Sequence, residues 1–168
     1  MKFDAIIIGA GPAGMQMALQ LQKSGKDCVI VAKGHSLHGY DDTEFIKAGG
    51  TILMGDTVLS GKVEDGKVVS ITTANLGEVT LEAENYYLAS GKYFSGGLCA
   101  SYDNISEPIF GIDVDFDADR SKWFDRDFSA HQNFMDFGVR ASADGCALLG
   151  GRPVTNLHPI GEILSNRQ

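Results

Sequence analysis

The sequence predicts an α/β fold built on a parallel sheet, and three observations predict it. A continuous aliphatic run, AIII at residues 5–8, passes directly into three spaced glycines, GAGPAG at 9–14. The following segment, residues 12–24, changes to helical spacing. A second aliphatic run, CVIVA, then occupies residues 28–32. Strand, helix and strand in that order make a βαβ unit, whose crossover is right-handed.

Each element has its own reason. Residues 5–8 carry no polar alternation, as expected of a central parallel strand buried on both faces. In the helix, Ala13, Met17, Ala18 and Leu21 share a stripe, Pro12 sits in the first turn, and Gly25 caps the end. From residue 51 the pattern becomes short β segments at 51–54, 57–63, 67–73 and 78–83. Asp65-Gly66 is a hairpin turn between two of them, and Asn75-Leu76-Gly77 makes the next turn. These form an expected small antiparallel β-meander over about residues 50–84. Residues 86–89 are again apolar and end at Ser90-Gly91, which returns the chain to the parallel sheet. Residues 101–140 show weak periodicity and read as loops, short strands and a helical turn.

A chain of 168 residues is long enough for one core and short for two. The expectation is a single domain over 1–168, with the βαβ unit at 1–34, the meander, and closing strands and loops at 85–168. The balance of 14 basic against 22 acidic side chains, a net charge of -8, excludes a broad electrostatic attraction to nucleic acid or a polybasic membrane anchor. Three scattered cysteines (Cys28, Cys99 and Cys146) show no CxxC or Cys/His pairing, so no disulfide framework or structural metal site is expected. The run at 5–8 is too short for a signal or membrane segment, and a cytoplasmic chain is the expectation.

The glycine loop sits where its chemistry requires. Gly9 permits the tight turn after the strand, Gly11 lets backbone approach a pyrophosphate, and Gly14 lets the helix pack closely on the sheet. Ala10, Pro12 and Ala13 complete the loop that opens the helix, whose N-terminus faces the phosphates. An acidic residue about 20 positions further on ordinarily accepts the ribose hydroxyls of a dinucleotide. Here the second strand ends on Lys33 instead, which leaves an NADP-like 2′-phosphate open as well as a solvated lysine. The fold class is thus an α/β, Rossmann-like FAD/NAD(P)-binding domain.

Two later stretches turn the reading toward flavin. LASG, at 88–91, ends the strand after the meander and contributes Ala89, Ser90 and Gly91. TNLHPIGE, at 155–162, ends on Gly161-Glu162. With the glycine loop they are similar to the three separated signatures of two-dinucleotide-binding-domain flavoproteins, with Ser90 for the usual threonine and Glu162 for the usual aspartate. Their order favours FAD over NADP.

The stretches MKFDAIIIGAGPAGMQMALQLQKSGKDCVIVAKGHSLH, GGTILMGDTV, LASGKYFSGGL, EPIFGIDV and NLHPIGE together resemble the family formed by the B subunit of anaerobic glycerol-3-phosphate dehydrogenase. That resemblance implies a flavin subunit, with FMN the cofactor usually assigned and FAD the ligand the signatures favour. It implies work beside a second flavoprotein subunit and an iron–sulfur membrane subunit, and therefore attachment to the inner face of the membrane through partners. Together these oxidise sn-glycerol 3-phosphate to dihydroxyacetone phosphate and pass electrons toward quinone. It also implies a backbone contact from Val58 to adenine and a place for Glu162 near the ribityl chain, while Lys33 is placed near the adenosine end by its position at the end of the second strand. The chain departs from the family where GYDD at 39–42 leads almost directly to FIKAGG at 45–50, without the family's large insertion, and where it ends at Gln168. The expected consequence is a nucleotide-binding half without the segment that shapes a substrate pocket, open to reading as an assembly module, and a homodimer is an open arrangement.

Other candidates carry less. His35, His38, His131 and His158 are possible acid–base groups, with His158 near the flavin edge; none has a partner pattern that makes it catalytic. Cys99 reads as a small buried side chain. Asp113, Asp115, Asp117 and Asp119 alternate like a calcium loop but lack its glycine and terminal glutamate, so they read as a solvated acidic surface. Trp123, Phe124, Phe128, Phe134 and Phe137 are expected to close the core, with a partner surface as the alternative.

Overall fold

The computed structural model describes residues 1–34 and 42–167. The chain opens with β1 (Lys2–Ile8), α1 (Pro12–Lys23), β2 (Cys28–Ala32), α2 (Thr43–Lys47) and β3 (Thr51–Met54). A hairpin of β4 (Val58–Glu64) and β5 (Lys67–Thr73) leads to β6 (Glu82–Leu88). Short paired strands follow: β7 (Cys99–Ala100) with β8 (Ile105–Ser106), β9 (Val114–Asp115) with β10 (Gly138–Val139), and β11 (Leu148–Leu149) with β12 (Arg152–Pro153). The last strand, β13 (Leu157–Pro159), closes the main sheet.

That sheet has five strands in the order β13-β6-β1-β2-β3, and each pairing is parallel. Its two faces bury different sets. Ala5, Ile7, Cys28, Ile30 and Ala32 pack with Met15 and Ala18 of α1 and Phe45 of α2. Ile6, Ile8, Val29, Val31, Tyr86 and Leu88 face the hairpin and the later loops, where Val68, Ile71, Phe110, Phe137 and Leu157 complete the larger core. Residues 5–8 are buried throughout, as a central strand requires, and each fully buried isoleucine contributes about 1.5–3 kcal/mol of transfer free energy.

Helix α1 ends as the sequence indicates: Gly25 N–H donates to the Gln22 carbonyl and Lys26 N–H to that of Leu21, the paired bonds of a Schellman cap. Its buried face keeps Ala18 of the expected stripe and otherwise differs from it. Gly14, Met15 and Ala18 are fully buried, and Ala13, Met17 and Leu21 lie at the margins. The small residues Gly14 and Ala18 set the phase because they let the helix lie close to the sheet. The expected meander resolves into a single antiparallel hairpin, β4–β5, bridged to the next segment between Ile71 and Leu81. Its turn is Asp65-Gly66, both at positive φ (49° and 73°), the type I′ arrangement that those residue types favour. Residues 51–54 leave the meander and form the parallel edge strand β3, and residues 82–83 belong to β6.

In the loop-rich stretch, Trp123 and Phe137 are buried, and with Phe116 their rings pack edge-on. Phe124 and Phe128 are exposed, against the expectation that they close the core. Among the described residues no helix is long and apolar enough to cross a membrane.

Candidate functional site

The strands of the main sheet end at a cavity of about 870 Å³. Gly9, Ala10, Gly11, Pro12 and Ala13 form its floor, Lys33, Ala89, Ser90 and Gly91 line it at the ends of β2 and β6, Val58 opens β4 into it, and Gly161 and Glu162 follow β13 into it. Every residue that the sequence assigned to cofactor binding lies on this wall except Gly14, which sits beneath it. A side chain at Gly14 would collide with the Gly9 carbonyl, and its Cβ would lie 3.0 Å from that of Ala89. Gly9 adopts φ +108°, and a Cβ there would strike the Ala89 carbonyl. The turn therefore requires glycine for both its conformation and its contact.

Gly11 differs from its two neighbours. Nothing lies within 4 Å of an added Cβ there, so the space above it belongs to the cavity. Gly11 is also the N-cap of α1; no side chain caps the helix and no acid occupies its first turn. The free amides of that turn and the positive end of the helix dipole remain available to an anion. Gly161 packs against the same turn, its Cβ position 2.6 Å from the Ala13 Cβ, which brings the Glu162 segment to the phosphate cradle. Ser90 Oγ is buried without a hydrogen-bond partner among the described residues, an orphan polar atom on the cavity wall. An open cradle, an uncapped helix and an orphan hydroxyl together fit a pyrophosphate-bearing cofactor such as FAD.

Lys33 has a defined place. Its Nζ approaches the Ser95 carbonyl at 3.4 Å, linking the end of β2 to the loop at residues 92–97. That loop crosses the mouth as a strap. Ser95 Oγ donates to the Ser90 carbonyl at 2.6 Å, and the packing of Gly97 against the Gly91 carbonyl leaves no room for a side chain. Lys92 turns inward and donates to the Met135 carbonyl; burial pushes its pKa down, opposed by the nearby charges of Glu162 and Asp136.

The acid absent from the end of β2 has a counterpart at the end of the next strand, β3. Asp56 lies on the cavity wall, 3% exposed, and accepts from Thr57 N–H at 2.7 Å, Asn75 N–H at 3.0 Å and Thr73 Oγ1 at 2.6 Å. Burial pushes its pKa up, but the hydrogen bonds from Thr73, Asn75, Thr57 and Ala74 together outweigh this and hold it below the ordinary value. Its bonds organise the β3–β4 connection, so it is not a free ribose acceptor. The sequence reading missed Asp56, though an acid before Thr57-Val58 in GDTV was a visible cue. It also missed the strap residues Phe94 and Ser95 and the apolar Leu59, Pro108 and Ile109, which line the same cavity.

Cys99 is exposed and on the cavity wall, correcting its reading as a buried side chain. Cys28 is the buried thiol, and burial pushes it up to about 11. His158 lies on β13 against the Tyr87 ring, with Asn85 Oδ1 3.2 Å away, and is not on the cavity wall. Burial pushes its pKa down, partly offset by a hydrogen bond with the Gly145 backbone. His131 pairs with Asp136 at 2.6 Å on the surface, also away from the cavity. His35 and His38 lie outside the described residues.

The model of the FAD binding domain family matches residues 4–45 and 42–167. The B subunit of anaerobic glycerol-3-phosphate dehydrogenase from Vibrio vulnificus (strain CMCP6) is 48% identical over 125 residues, 72% of this chain and 28% of that protein. The Yersinia pestis protein of the same name is 35% identical over 131 residues, 78% of this chain and 31% of its own length. The chain thus spans less than a third of the curated relatives it matches. Among solved structures, a geranylgeranyl bacteriochlorophyll reductase-like protein from Thermoplasma acidophilum overlaps 54% of this chain and 39% of its own, with 15% identity and a TM-score of 0.46.

Proposed function

Because the chain belongs to the family of FAD binding domains, we propose that it works as the cofactor-holding part of a flavin-dependent oxidoreductase acting on sn-glycerol 3-phosphate. The observation that carries the binding half of this reading is the convergence of three separated signatures, 9–14, 89–91 and 161–162, on one cavity. The substrate half rests on the relatives that are named as the B subunit of an anaerobic glycerol-3-phosphate dehydrogenase. FAD, when bound, supplies the two-electron chemistry that converts the secondary alcohol to the ketone of dihydroxyacetone phosphate.

The chain's own residues have the tasks of binding and orientation. The amides at the start of α1 hold the pyrophosphate, with Gly11 giving backbone access. Ser90 and Gly91 shape the wall beside it. Glu162 stands near the ribityl chain, Val58 offers backbone to the adenine, and Lys33 lies by the adenosine ribose. Further subunits, a second flavoprotein and an iron–sulfur membrane protein, would carry electrons onward toward quinone.

A second reading is favoured by one feature of the wall. Among the described residues no histidine lines the cavity, and Asp56 is committed to its own hydrogen bonds. That leaves Glu162, Lys33 and Cys99 as the other ionisable groups on the wall, and if none of them removes the substrate's hydroxyl proton this chain acts as a flavin-loaded assembly module.

The visible spectrum of the purified protein, with chromatography of released cofactor, tests the binding reading; a colourless protein that takes up no added flavin would sink it. Gly11→Val is expected to weaken FAD by at least about tenfold, with no more than about 1–2 kcal/mol lost from the helix N-cap, because the added Cβ enters the cradle and meets no protein atom within 4 Å. Anaerobic addition of glycerol 3-phosphate then separates the two readings: bleaching supports catalysis, and an unchanged flavin spectrum supports the module.

A further inference from the structure

The strap at residues 92–97 follows β6, and the strand order decides what it covers. The order β6-β1-β2 puts the ends of β6 and β2 on either side of the end of β1, where the glycine loop begins. Ser95 is bonded on both sides: its Oγ donates to the Ser90 carbonyl beyond β6 at 2.6 Å, and its carbonyl accepts from Lys33 Nζ beyond β2 at 3.4 Å. The strap therefore arches over the cradle of residues 9–13, and Phe94, Ser95 and Gly96 belong to the cavity wall.

This arch has a fixed base and a lightly held tip. At the base Lys92 and Gly97 are buried, Gly97 N–H donates to the Lys92 carbonyl at 2.9 Å, and Lys92 Nζ donates to the Met135 carbonyl. At the tip Phe94 and Ser95 are exposed. Among the described residues, the hydrogen bonds that tie the tip to the rest of the chain are the two at Ser95 and one from Tyr93 Oη to the Phe134 carbonyl at 2.9 Å. The Tyr93 ring packs edge-on against Phe134, and Tyr93 does not line the cavity. Its hydroxyl thus holds the strap without touching what the strap covers. Exposed segments with few tertiary bonds open locally at low cost, and such loops gate access to the sites beneath them.

We propose that residues 93–96 are a gate over the phosphate cradle, pinned shut by Tyr93 Oη and Ser95 Oγ, and that the cofactor enters and leaves when these two hydrogen bonds release. The proposal rests on the flavin reading above and concerns exchange of the cofactor, not its recognition. Tyr93 and Ser95 are positioning residues in this scheme. A pin that closes the empty and the loaded chain alike slows entry and exit by the same factor, so its removal raises both rates and leaves affinity nearly unchanged. Loss of a ligand contact would instead appear mainly in dissociation.

The test is stopped-flow mixing of the flavin-stripped 168-residue chain with FAD, followed by flavin fluorescence, with release read on dilution of the loaded protein. Tyr93→Phe, which keeps the ring against Phe134, and Ser95→Ala should each raise both rates by about fivefold, with Kd within about twofold of wild type. Hydrogen exchange of the ligand-free chain supplies a readout that needs no cofactor. Gly96 N–H, which donates to the Tyr93 carbonyl, should exchange about fivefold faster in Tyr93→Phe, while the amides of β1 keep their wild-type rates. A rise in dissociation alone, no change in either rate, or unchanged exchange at Gly96 overturns the gate with the flavin reading intact. Wild-type protein that takes up no FAD overturns the flavin reading and, with it, the gate's cargo.

Discussion

The parallel sheet with α1 and the loop-rich region at residues 98–156 both bury a core, yet they are held in different ways. In the sheet, β1 pairs with β2 over four successive residues and with β6 over a longer register, so order comes from repetition. In the loop region the strands are two residues long, and single side chains organise the backbone. Glu107, 2% exposed, accepts from the amides of Ile109, Phe110 and Gly111 at 2.9, 2.7 and 3.0 Å. Asp113 accepts from Gly150 and Gly151 at 2.8 and 2.7 Å, and Asn156 exchanges two hydrogen bonds with the Val68 backbone. The sheet should therefore be vulnerable where its backbones meet, and the loop region at particular polar side chains.

Gly14→Val offers the strongest way to break this contrast. Its side chain would drive α1 off the Gly9 turn, with an expected loss on the order of 4 kcal/mol or more in urea unfolding. A variant as stable as wild type would show that the helix–sheet contact is soft. Next is Glu107→Ala, expected to cost about 3 kcal/mol because three amides lose a buried acceptor. Against it, Ile7→Val in the sheet should cost only about 1 kcal/mol. Equal losses would erase the distinction.

The two buried carboxylates sharpen the comparison through pH. At Glu107 burial pushes the pKa above its ordinary 4.5, despite opposing backbone hydrogen bonds. The folded chain keeps that proton after the unfolded chain has lost it. Its stabilising contribution is thus complete below the ordinary value and lost as pH rises through the folded pKa. Asp56 has the opposite sign: its folded pKa lies below 3.8, so its contribution is present above that value and lost as pH falls. Melting curves across acidic to neutral pH for Glu107→Gln and Asp56→Asn should each lose one of these opposed slopes; retention of both would contradict the assignment. The smallest effect belongs to the exposed Lys23–Glu44 pair, 3.1 Å apart, where Lys23→Ala should change stability by less than about 1 kcal/mol.

The same contrast explains what could be read in the chain before its fold. The strand, glycine loop, helix and strand were legible because aliphatic runs and glycine spacing reflect local backbone rules. The turn at Asp65-Gly66 and the cap at Gly25 follow the same rules. The side of β3 was not legible, because four apolar residues carry no alternation to tell a parallel edge strand from part of a meander. The phase of α1 depends on the close contact of Gly14 with the Gly9 turn, which hydrophobic spacing does not register. Three separated signatures did meet at one cavity, but Phe94, Ser95 and Leu59 join it only through the path of the strap and hairpin. Glu107 had a local cue, a carboxylate directly before Pro-Ile-Phe-Gly, where Ile109, Phe110 and Gly111 donate their amides to it.

The strand order also has a consequence for the life of the nascent chain. Because β13 lies directly beside β6 but follows it by the whole loop-rich region, the cavity lacks its Gly161-Glu162 wall until that region has been synthesised. The glycine loop, by contrast, emerges earlier, with its helix. A cofactor arriving during translation would meet a phosphate cradle long before it met a complete site, so durable capture should coincide with docking of the final strand.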